Sequence, residues 1–163
     1  MNLTQREARE KYLELTREIQ TGILQTALDK FPIHSIPMTL KRVEDDGTIL
    51  FFSKKDSEHN QNIQIDAESQ IVFSDPSSHQ FLIVYGETII SHDRELIKEL
   101  YSNIDNNWFE NEEDTSITIL KFQPFEGQYW DTKSNALSNM IKLGFTAITG
   151  TPTDIGTKGK LTL

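Results

Sequence analysis

The sequence predicts one mainly β domain, built from six or seven antiparallel strands with helices at its flanks. Three observations carry this expectation. The 163 residues are enough to bury one core but would stretch to cover two. Most apolar residues fall in short β-like runs separated by turn residues, such as GILQTAL, TILFF and QFLIVYGETIIS. Helical spacing is confined to three segments, near the N-terminus, after Asp93 and after Asn135.

In chain order, Thr4 and Glu7 have the spacing of a capping box, and Leu3 with Ala8 could staple it. Tyr12, Leu15 and Ile19 then share one helical face, so residues 4–20 read as a helix. From Gly22 the texture becomes β: GILQTAL, a turn at DK, FPIHSIPMTLKRV, a turn at EDDG, and TILFFSK form a meander. Pro32 and Pro37 cannot donate to a ladder, so their strand should lie at an edge, carry a bulge or turn backbone toward a ligand. QIVFSD and QFLIVYGETIIS continue the sheet. Asp93 caps a helix that buries Leu96, Ile97, Leu100 and Tyr101. DNNWFENEEDTS reads as a solvated acidic loop, with Trp108 and Phe109 folding part of it back. TSITILKFQ and GQYWD read as a closing hairpin, ALSNMIKLGFTAITG as a helix, and TPTDIGTKGKLTL as a loop-like tail. The expected layout is an N-terminal helix over residues 1–20, a barrel over 21–131, and a C-terminal helix and tail over 132–163.

Composition excludes several functions. A formal charge of −9, from 16 Lys and Arg against 25 Asp and Glu, argues against nucleic acid and anionic membranes as partners. The absence of cysteine removes disulfides, thiolate metal sites and thiol nucleophiles together. The four histidines lack helical zinc spacing, so no metal site is expected. The N-terminus has no apolar leader and no run reaches membrane-spanning length, so a soluble, cytoplasmic protein is the expectation. No nucleophile elbow, Walker A or dinucleotide fingerprint occurs.

The segment SKKDSEHNQNI, residues 53–63, stands out because an apolar strand empties into it. Asp56 and Ser57 would end the strand and cap a short surface helix. Alternatively, Ser57, His59 and Asn60 occupy a first helical turn whose free N–H groups favour an anion, with Lys54 and Lys55 beside it.

The order of pieces is informative: IPM on an irregular strand, DDGTILFFS, SEHNQNI opening a helix, SQIVFSD, YGE before HDRELI, then NNWF and QYWD. Together they resemble the flavin-binding split-barrel superfamily, specifically the general-stress-protein branch of pyridoxamine 5′-phosphate oxidase-like proteins. The resemblance covers about residues 20–163. It implies a mainly β (α+β), six- to seven-stranded antiparallel split β-barrel with flanking helices. It also implies a homodimer with a site at the subunit interface and a bound flavin: flavin mononucleotide (FMN), held weakly, with FAD or an empty site as alternatives.

In that family the helix after the third strand meets the FMN phosphate, which implies such a role for Ser57, His59 and Asn60. The family's Arg-Pro-Met corresponds to Ile36, Pro37 and Met38, so one phosphate-binding arginine is missing here. The aromatic-aromatic-hydroxyl strand end is retained as Phe51, Phe52 and Ser53, and Trp130 matches an aromatic that approaches the cofactor from the closing hairpin. The implied cofactor-binding set is Ser35, Pro37, Met38, Thr39, Phe52, Ser53, Lys54, Ser57, His59, Asn60 and Trp130. No catalytic side chain is implied, since the flavin would carry the redox chemistry. The expected function is that of a stress-related flavin-dependent oxidoreductase. Pyridoxamine 5′-phosphate oxidation itself is not expected, because few basic residues remain to cradle a second phosphate. The alternative is a flavin-free binding or stress-response module with the same fold.

Overall fold

The computed structural model describes residues 5–131 and 157–163. Helix α1 (Gln5–Ile19) turns Ala8, Tyr12 and Leu15 fully into the core, as the spacing predicts. Thr4, its expected cap, lies outside the described residues, as does the helix expected from Asn135 to Gly150.

Strands β1 (Thr21–Thr26), β2 (His34–Thr39), β3 (Arg42–Val43), β4 (Ile49–Lys54), β5 (Glu68–Asp75), β6 (Gln80–Ser91) and β7 (Ile117–Asp131) form one antiparallel sheet in the order β2-β1-β5-β6-β7-β4-β3. It curls into a split β-barrel. Helix α2 (Glu58–Ile65) follows β4, and α3 (Arg94–Leu100) follows β6. Strand β2 is an outer strand, so Pro37, opposite Ile23 of β1, removes no donor that a second neighbour needs.

Three elements differ from the sequence reading. FPIHSIPMTLKRV is not one strand of a meander but two, β2 and β3, and β4 pairs with β3 and β7 while β2 pairs with β1 at the far end of the sheet. TSITILKFQ and GQYWD are not a hairpin but one continuous strand, β7. The QPFEG punctuation marks a bulge: Tyr85 faces Glu126 and Gly86 faces Pro124, leaving Phe125 as the extra residue. Gly86 is required there, since a Cβ would fall 2.0 Å from the Gln123 carbonyl oxygen. The tail is also not all loop. Thr157–Thr162 forms an eighth strand, β8, paired with the distal half of β7 from Glu126 to Asp131.

The apolar run of β4 is explained by burial on both sheet faces. Ile49 and Phe51 join the main core with Leu120 and Phe122 of β7. Leu50 joins a smaller cluster with Ile97 of α3, Phe109, Ile117 and Ile119, against which Phe52, Leu96, Leu100 and Tyr101 pack. Strand alternation therefore delivers Phe52 to the second face, where the 103–109 segment comes down over the sheet.

Candidate functional site

Strand β4 gives way to α2 through the cap expected from sequence: the Ser57 side chain accepts the Asn60 backbone N–H. The first turn of α2 nevertheless points inward. His59 and Asn60 are 6% and 1% exposed. They join a buried polar cluster in which Ser53 Oγ lies 2.6 Å from both His59 Nε2 and Asn60 Oδ1. Asn60 Nδ2 donates to Thr118 Oγ1 at 2.9 Å, tying α2 to β7. Removing the amide would leave the Ser53 and Thr118 hydroxyls short of partners. Asn60→Ala should therefore cost about 1–3 kcal/mol, measurable as a lower urea midpoint at unchanged slope.

His59 stacks on His34 of β2, ring centroids 5.9 Å apart. Burial, reinforced by His34 and opposed by Glu58, lowers its pKa from 6.5 to about 4. The unfolded chain therefore takes up the proton first. This contribution to stability is complete above pH 6.5 and is lost as pH falls toward 4, by about 3 kcal/mol at most. Thermal melts across that window should show the decline, and His59→Gln should flatten it.

Beside this cluster opens a cavity of about 560 Å³, within the range of small-molecule sites. Strand β2 and the following two residues contribute Ile36 to Lys41, β4 contributes Phe52 to Lys54, and Ser57 and His59 continue the wall. Ile104, Asp105, Trp108 and Phe109 complete it. The 3-10 helix Asn103–Asn107 positions Asp105, which accepts the Ser102 backbone N–H at 2.8 Å and pairs with Lys41 at 2.7 Å. Lys41 Nζ also lies 5.0 Å from the Phe52 ring centroid. Ile104 and Trp108 are 63% and 60% exposed, giving the cavity an apolar rim.

Of the residues expected from sequence, Pro37, Met38, Thr39, Phe52, Ser53, Lys54, Ser57 and His59 line this one cavity. Asn60 lies beneath it, engaged with Ser53 and Thr118. Ser35 is exposed and bonded to Gln25 and the Ile33 carbonyl, away from the lining. Trp130 is remote within the chain: Phe52 pairs with Ile119, and Trp130 lies roughly 35 Å further along β7 at about 3.3 Å per residue. The residue-level reading missed Lys41 and the Ile104–Asp105–Trp108–Phe109 wall. The aromatic pair inside the acidic loop was the available signal.

An antiparallel split barrel with a ligand-sized cavity between an outer strand and a capped helix defines a class of binding fold. A family profile described as "Pyridoxamine 5'-phosphate oxidase like" matches residues 7–154, and the chain belongs to that family. General stress protein 26 from Bacillus anthracis superposes with a TM-score of 0.65 at 21% identity, covering 74% of this chain and 92% of that one. The general stress FMN/FAD binding protein of Xanthomonas citri gives 0.67 at 22% identity, covering 80% and 92%. A Jannaschia protein described as a candidate general stress protein 26 gives 0.70 at 21%, covering 97% and 99%. No curated protein matches the sequence. Among the described residues, no helix is long and apolar enough to cross a membrane.

Proposed function

We propose that the chain is one split-barrel domain that binds a flavin, foremost FMN, in this cavity and acts as a stress-related oxidoreductase. The carrying observation is that eight residues matched to a flavin site by sequence order line one cavity of suitable volume. The lining suits the ligand. Met38, Leu40, Phe52, Ile104 and Trp108 offer apolar and aromatic surface to a flat ring. Ser57 and Lys54 offer a hydroxyl and a cation to polar substituents. The similar Xanthomonas citri protein is described as FMN/FAD binding, which supports the same ligand class. A bound flavin would supply electron transfer, while these residues hold the ring, exclude water and set its surroundings.

The visible spectrum of the purified protein, before and after adding FMN, tests this. A flavin absorbance band that stays with the protein through gel filtration is the expected result, and free flavin eluting separately contradicts it.

The proposed assembly is a cytoplasmic homodimer. Phe31 at 85% and Ile65 at 78% exposure leave apolar surface that a second copy would cover. Light scattering should give twice the 18.7 kDa of the chain. A monomer at micromolar concentration would contradict the dimer. A flavin-free module is the second reading, favoured by Ile36 in place of an arginine and by the pairing of Lys41 with Asp105.

A further inference from the structure

The cluster beneath the cavity fixes its own proton positions. Thr118 has one hydroxyl proton, and it faces the Ser53 carbonyl at 3.1 Å. Its lone pair is thus left to accept the Asn60 amide N–H at 2.9 Å. The reversed amide would set a carbonyl oxygen against a hydroxyl whose proton is already committed. Asn60 Oδ1 therefore faces Ser53 and takes its single hydroxyl proton at 2.6 Å. The Ser57 hydroxyl, 3.2 Å away, competes for no proton of Ser53, because it can donate to the same oxygen. The remaining 2.6 Å contact, from Ser53 Oγ to His59 Nε2, then requires the proton to sit on the imidazole. His59 Nδ1 makes no hydrogen bond among the described residues, and His59 lines the cavity.

We infer that His59 is held as the neutral Nε2–H tautomer and offers its Nδ1 lone pair to the cavity, so the ligand group docking there is an N–H or O–H donor, not an oxyanion. The stacked His34 of β2 and the low proton affinity of the buried ring keep His59 uncharged near neutral pH, although Glu58 of α2 opposes this. This inference deepens the proposed function and rests on it for the ligand's identity. In a flavin the donor is a ribityl hydroxyl or the ring imide N–H. The phosphate is left to Lys54, which forms no salt bridge among the described residues.

Two-bond ¹H–¹⁵N correlation spectra of the ¹⁵N-labelled full chain at pH 7 read the tautomer directly. The Nε2–H pattern is expected, unmoved by inorganic phosphate, with the Nδ1 resonance shifted by riboflavin and by FMN alike. An Nδ1–H or imidazolium pattern overturns the inference, as does a response to phosphate. His59→Leu should weaken riboflavin and FMN by the same factor, about three- to tenfold for one neutral hydrogen bond. A loss confined to FMN would place the phosphate at His59 and overturn the inference. If neither flavin binds the unaltered protein, the flavin reading falls alone, and the tautomer and phosphate spectra still decide the chemistry of His59.

Discussion

Ile36→Arg is expected to tighten FMN binding about ten- to a hundredfold while leaving riboflavin unchanged. The cavity is short of positive charge at present. Lys41 is paired with Asp105, and burial keeps His59 from taking up a second, charging proton until about pH 4, so Lys54 is the cation left for a phosphate. Ile36 lines the same cavity from β2, and a guanidinium there could form one charge-assisted, bidentate interaction with a phosphate, contributing about 1.5–3 kcal/mol in all. Calorimetric titration of both ligands checks it. Equal gains for FMN and riboflavin, or none for either, would move the phosphate away from β2.

Lys11→Met is expected to destabilise the fold by about 3–5 kcal/mol, the largest single effect on stability foreseen for this chain. Lys11 of α1 and Asp131 at the end of β7 are 5% and 1% exposed and form a direct ion pair. Glu14 also contacts the ammonium at 3.0 Å, and Gln80 bridges Asp131 at 3.4 Å to Glu18 at 2.7 Å. Taking away the lysine leaves a buried carboxylate without the ammonium that faces it. The melting temperature should fall by about 6–20 °C for a chain of this size. Lys11→Met combined with Asp131→Leu should recover most of the loss, since replacing both charges removes the desolvation penalty with the attraction. Additive losses in the double variant would show that the two residues act independently.

The features legible in the sequence are those decided by neighbours along the chain. Ser57 and Asp93 cap their helices because each has an N–H three residues on to accept, so a short window suffices. Pro37 narrowed its strand to an edge, a bulge or a ligand-facing backbone because a missing donor is a local fact, but which of these holds is set by the sheet order. The bulge at Phe125 was read as a turn because its cause lies across the sheet: Gly86, without a Cβ, lets the Gln123 carbonyl close in. Strand β8 looked like loop because TKGKLT has little strand character of its own and forms against an already built β7. The site divides in the same way. Family order located Phe52, Ser53, Ser57 and His59. The Lys41–Asp105 pair joins residues 64 positions apart, and beside the Trp108 rim Phe109 packs edge-on against Phe52, a contact made across the fold.

The central claim, that a flavin occupies the cavity between β2, α2 and the 103–109 segment, is tested most directly by tryptophan emission. The chain has two tryptophans, so Trp130→Phe leaves Trp108 at the cavity rim as the sole reporter. FMN should quench that emission almost completely, with the same midpoint as the change in the flavin's own fluorescence. Saturable FMN binding that leaves Trp108 emission intact, or no saturable binding at all, would contradict the account.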